Sequence, residues 1–61
     1  MIELIGKAVK NKKLTKAQGT TLIRHRKHHS EGHTLLMMRM MIEKHMSFKD
    51  AHEYAMKQVG K

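Results

Sequence analysis

Three of the six histidines, His25, His29 and His33, recur at every fourth residue, and His28 sits beside them. On a helix that spacing places three imidazoles on one face. Neutral imidazoles so arranged chelate Zn²⁺, Ni²⁺ or Cu²⁺, and His45, His52 or Glu31 would complete such a shell. The chain has no cysteine, so a thiolate site, a disulfide and thiol redox chemistry are all excluded. No paired Cys/His signature accompanies the histidines. The more ordinary outcome is a partly buried row that hydrogen-bonds across a helix interface, or a solvated face. The expectation is therefore no resident cofactor, with zinc on His25, His29 and His33 as the alternative. Clustered histidines gaining charge near pH 6 would also add to the basic field of the chain.

That field is lopsided. The 61 residues carry a formal net charge of +8. Residues 1–30 hold eight Lys/Arg against Glu3, and residues 31–61 hold five against four acidic residues. Charge concentrated in one half of so small a chain suggests a polyanionic partner. Lys12, Lys13, Lys16, Arg24, Arg26 and Lys27 are the candidate phosphate contacts. No aromatic residue interleaves with them, so stacking on single-stranded bases is not indicated. Backbone contact with steep salt dependence and little sequence preference is the expected mode, on DNA or RNA. A helix-turn-helix reading would make residues 48–59 the recognition helix. That segment is nearly charge-balanced and lacks an Arg/Asn/Gln run at its start.

Nothing positions a nucleophile. Ser30 and Ser47 are accounted for as helix caps, and Tyr54 is the single tyrosine. His52 beside Asp50 and Glu53 resembles a base–carboxylate pair in composition only. There is no glycine-rich phosphate loop, so the chain is not expected to be an enzyme. The methionines Met37, Met38, Met40, Met41 and Met46 read first as core. Their alternative use is an adaptable docking surface, with Leu36, Met37, Met40 and Met41 as the candidate interface to a second copy or another protein.

The elements that would position these groups are helical throughout. Ser30 to His45 is an amphipathic helix with Leu35, Met37, Met38, Met41 and Ile42 on a broad arc and Leu36 with Met40 on a second stripe. Arg39 and Glu43 separate the stripes on one side, His33 and Lys44 on the other. Such a helix needs two partners. Thr15 to Gln18 matches a capping box, opening a basic helix over 15–29 whose inner side carries Gln18, Leu22, His25 and His29. A break near Ser30 is favoured over one long helix. After a tight turn at Met46-Ser47, a last helix spans 48–59, with Phe48, Ala51, His52, Ala55 and Val59 inward and Gly60 as its stop. Residues 1–13 are a short basic segment. Ile2, Ile5 and Val9 suit a helix there only if it docks, because the segment is brief and Gly6 weakens it. The fold class is all-α: a single small bundle of two to three helices with a C-terminal helical hairpin over 31–45 and 48–59. No segment approaches the roughly 20 apolar residues of a membrane span, and no secretory signal is visible. The expectation is an intracellular protein or a component of a particle assembled inside a cell.

Leu14-Thr15 with Gln18, His25, His28-His29-Ser30, His33, the central methionines, Ser47-Phe48, Ala51-His52, Ala55 and Val59-Gly60-Lys61 form a pattern over about three quarters of the chain. In it the chain resembles small basic helical proteins of large double-stranded DNA viruses and tailed phages. The resemblance implies a viral origin, hence a host-cell or virion setting; the partners expected there, nucleic acid or else another viral protein, rest on the charge and on the methionine row. It carries no activity with it. Such proteins tend to have glycine before the Ser-Phe turn, where this chain has Lys44-His45-Met46.

Overall fold

A computed structural model describes residues 2–60; Met1 and Lys61 lie outside it, and with them the last position of the Val59-Gly60-Lys61 pattern. Four helices follow one another: α1 (Ile2–Lys10), α2 (Lys16–His25), α3 (Glu31–Glu43) and α4 (Phe48–Gln58). The all-α small bundle is as expected. The N-terminal segment adds a fourth helix, because it finds a surface to dock on. α1 pairs with α2, α3 pairs with α4, and α2 meets α3 over a smaller area. The basic helix is thus partnered mainly by α1.

Local chemistry sets the helix starts. The Thr15 hydroxyl accepts from the Gln18 amide at 3.0 Å while the Gln18 side chain accepts from the Thr15 amide at 2.8 Å, a complete capping box. Ser30 accepts from the His33 amide and Ser47 from the Asp50 amide, both at 3.1 Å. The break at Ser30 is real. α2 stops at His25, however, short of the 28–29 expected. Over residues 26–28 the amides of Lys27 and His28 reach back three residues to Arg24 and His25, which tightens the chain into a turn.

The helix ends use left-handed backbone without glycine at two sites. Lys12, at φ 61°, closes α1: its amide donates to Val9 and that of Lys13 to Ala8, the two bonds of a Schellman motif. His45, at φ 55°, takes the corresponding conformation after α3, in the stretch where the resembling proteins tend to carry glycine. Gly60, at φ 89°, ends α4 as expected.

The core comprises Ile5, Ala8, Leu14, Leu22, Met37, Met40, Met41, Ala51 and Ala55. The buried face of α3 runs through His33, Thr34, Met37, Met40 and Met41. It takes Met40 from one expected stripe and Met37 and Met41 from the other. His33, expected on a polar boundary, is 0% exposed. It occupies the same helical face as Met37 and Met40, four and seven residues on. Thr34 is equally buried and its hydroxyl donates to the Ser30 carbonyl at 3.3 Å. On α4, Ala51 and Ala55 are fully buried as expected, but Val59 is 48% exposed because the helix is already ending there.

Gly19 is the point of closest approach between α1 and α2. A Cβ there would lie 2.5 Å from Val9 Cγ2 and 3.5 Å from Ile5 Cγ2. Gly6 and Gly32 have nothing within 4 Å of such a Cβ. Glycine inside a helix is worse than alanine by about 1 kcal/mol, so Gly6→Ala should stabilise the protein by about that amount. Gly19→Ala should gain the same propensity and lose more, since overpacking typically costs about 1–3 kcal/mol and the β-branched Val9 cannot swing aside freely. Urea denaturation followed by circular dichroism should rank Gly6→Ala above the parent and Gly19→Ala below it.

Candidate functional site

The histidines gather into one cluster. His25 stacks on His29 (ring centroids 4.4 Å, 23° between planes) and His29 on His33 (4.2 Å, 11°). The fourfold spacing therefore survives the break between α2 and α3: His25 ends α2, His29 lies in the turn, and His33 opens α3. From α4, His52 meets all three rings at steep angles, with centroids 4.9, 5.1 and 5.2 Å away. Phe48, one turn earlier on α4, sets its ring against His25 edge to face at 5.2 Å. Of the three residues named as able to complete a histidine shell, the fold brings in His52. His45 is exposed in the α3–α4 turn and Glu31 is exposed at the start of α3.

The cluster has few hydrogen bonds. His29 Nε2 and His52 Nε2 face each other at 3.4 Å. His25 Nε2 and both ring nitrogens of His33 are shut off from solvent and meet no protein hydrogen-bond partner. Burial, followed by the charge of the neighbouring histidines, lowers the pKa of His25, His29 and His33 below the ordinary imidazole value of 6.5. These three rings are neutral at pH 7, which is the form that binds a metal ion. Among the described residues, the ligating atoms of His25, His29 and His52 all lie within 4.8 Å of one another. The expected set was His25, His29 and His33. The structure substitutes His52 for His33, which stacks behind His29.

The candidate phosphate contacts divide differently. Lys12 and Lys13 lie in the α1–α2 turn, Lys16 opens α2, Arg24 is in its last turn and Lys27 follows it; all five are exposed. Arg26 departs from the rest. It is half-buried and its Nε has no hydrogen-bond partner. The one ion pair among the described residues is Arg39–Glu43, at 3.0 Å on the exposed side of α3. Among the described residues, none of the six forms an ion pair with a carboxylate.

The methionine surface does not exist as a surface. Met37, Met40 and Met41 are 0%, 8% and 4% exposed, and Leu36 packs against the same core. The face expected to reach a second chain is filled by the molecule's own helices.

Nothing among family models, curated proteins or solved structures matches this chain. No helix among the described residues is long and apolar enough to cross a membrane.

The lowered histidine pKa values make stability depend on pH. Where the folded pKa lies below the unfolded one, the unfolded chain binds more protons between the two values. The stabilisation from neutral histidines is therefore complete above about pH 6.5 and is lost as the pH falls below it. In EDTA, the thermal midpoint should drop between pH 7.5 and pH 5; a midpoint that holds or rises contradicts this account. His33→Leu removes two buried unpartnered nitrogens, each costing about 1–3 kcal/mol. It should raise the midpoint at pH 7 and flatten its decline in acid.

Proposed function

We propose that the chain is a small basic protein that contacts nucleic acid backbone through its N-terminal half, with little sequence preference. One observation supports this reading above others. Lys12, Lys13, Lys16, Arg24 and Lys27 are exposed and free of carboxylate partners among the described residues. The half of the chain that carries them holds one acidic residue, Glu3. Lys16, Thr20 and Arg24 recur every fourth residue, so the cations extend along α2 over about 12 Å at 1.5 Å per residue. Phosphate contacts of this kind orient a protein on its polyanion without reading bases. The α3–α4 hairpin is scaffold in this reading, and no catalytic step is assigned to any residue. The rival reading, a minor virion component that docks or self-associates through its methionine face, is weakened because Met37, Met40 and Met41 are interior.

Fluorescence anisotropy with random-sequence duplex DNA and duplex RNA tests the proposal. Five phosphate contacts give a slope of about −4.5 in log K against log salt, or roughly 500-fold weaker binding at 200 mM than at 50 mM salt. A folded Lys16→Gln/Arg24→Gln/Lys27→Gln variant should bring that slope closer to zero by about 3. No binding to either duplex at 50 mM salt would falsify the proposal.

A further inference from the structure

Three segments that are separate in sequence converge on one point: the end of α2 with His25, the α2–α3 turn with His29, and α4 with His52. Their ligating nitrogens all lie within 4.8 Å of one another, and His29 Nε2 is 3.4 Å from His52 Nε2. That separation is long for a nitrogen-to-nitrogen hydrogen bond, since N–H donors are usually about 2.7–3.2 Å from their acceptors. For the His29–His52 pair it matches one edge of a coordination tetrahedron, and closing the site on His25 draws in a nitrogen that lies within 4.8 Å of both. With metal–nitrogen bonds of about 2.0–2.1 Å, two ligands on one tetrahedral ion stand about 3.3–3.4 Å apart.

We propose that His25, His29 and His52 bind a divalent first-row transition-metal ion of the zinc class. The ion ties the end of α2 and the turn after it to α4. The donor set is entirely imidazole, which suits Zn²⁺, Ni²⁺ and Cu²⁺ and not the oxygen-seeking Mg²⁺ or Ca²⁺. Three protein ligands leave a fourth position for water or an exogenous ligand.

Two further observations support the site. His25 Nε2 is buried with no protein partner, although a buried imidazole nitrogen left unpaired is destabilising. His33 is completely buried with neither nitrogen paired, and its ring lies flat on His29 at 4.2 Å. His33 is the positioning residue: fixed at the start of α3, it holds the His29 ring in place. A chain of 61 residues without disulfides also belongs to the size class in which a metal commonly supplements a small core.

The proposal stands apart from the nucleic-acid reading, and its test involves no nucleic acid. The full chain, stripped with EDTA and dialysed, is titrated with Zn²⁺ by calorimetry at pH 7.5. One ion should bind per chain. With free Zn²⁺ at a hundred times its Kd, the thermal midpoint should rise by about 10 °C or more. His52→Phe keeps a ring beside His25 and removes a ligand; its Zn²⁺ affinity should fall at least tenfold, and at the same free Zn²⁺ its thermal shift should fall to about half the parent's or less. His45→Gly removes an exposed histidine from a left-handed position and should bind as the parent does. In NMR spectra of the parent, Zn²⁺ should move the imidazole signals of His25, His29 and His52 and leave those of His28 and His45, a readout that survives even if His52→Phe does not fold. Absence of binding by the parent, unchanged affinity in His52→Phe, or shifts confined to His28 and His45 would each overturn the proposal.

Discussion

The packing of four imidazoles and one phenyl ring between α2 and the C-terminal hairpin is the constraint on which the rest of the molecule depends. α1 with α2 and α3 with α4 each form a paired unit, and the two units meet chiefly where α2 packs on α3. His25, His29, His33, His52 and Phe48 span that junction. Leu22 and Met37 are fully buried in the core, and the rings carry the contacts across the junction. Flat stacking along the 25–29–33 row and steep contacts from His52 leave little freedom to slide. A junction of this kind accommodates neutral rings readily and charged ones poorly, because desolvation and mutual repulsion act together. It also separates tasks. The groups with unusual chemistry sit between the units, while the described lysines and Arg24 are exposed to solvent.

Much of the fold was legible because its signals are local. Thr15, Ser30 and Ser47 announce helix starts, since a hydroxyl capping an amide two or three residues on needs no tertiary context. Ala51 and Ala55, four residues apart, mark the side of α4 that faces α3. Gly60 marks an end because a left-handed residue there favours glycine. The length of α2 was not legible: a helical period continues through His25, His29 and His33, and the rings keep that period although the backbone leaves the helix after His25. Side-chain spacing and backbone conformation are separable, and the sequence records only the first.

The candidate site was half legible. Its stacked row follows from fourfold spacing, but its fourth ring depends on α4 folding back. Several residues could have filled that place, and periodicity cannot rank them. The burial of His33 was missed because imidazole was counted with polar residues, although its position relative to Met37 and Met40 put it on the inner face. Gly19 offered an unused signal. A glycine inside a capped helix often marks a neighbouring backbone or side chain at close range, here Val9 of α1, and it would have foretold that the first segment docks. The side on which the methionines fall was not legible, because α3 turns Met37, Met40 and Met41 together toward the core where periodicity had split them between two stripes.

The pairing of neighbours along the chain, α1 with α2 and α3 with α4, has a kinetic consequence. Loops of only a few residues close each pair, so little chain entropy must be surrendered before native contacts form, and topologies dominated by local contacts fold quickly. On this topology the non-local step is the meeting of the two units, which brings His33 and His52 of the second to His25 and His29 at the end of the first. The His29–His52 contact spans 23 residues of sequence, so closing it costs more chain entropy than closing either helix pair through its short loop.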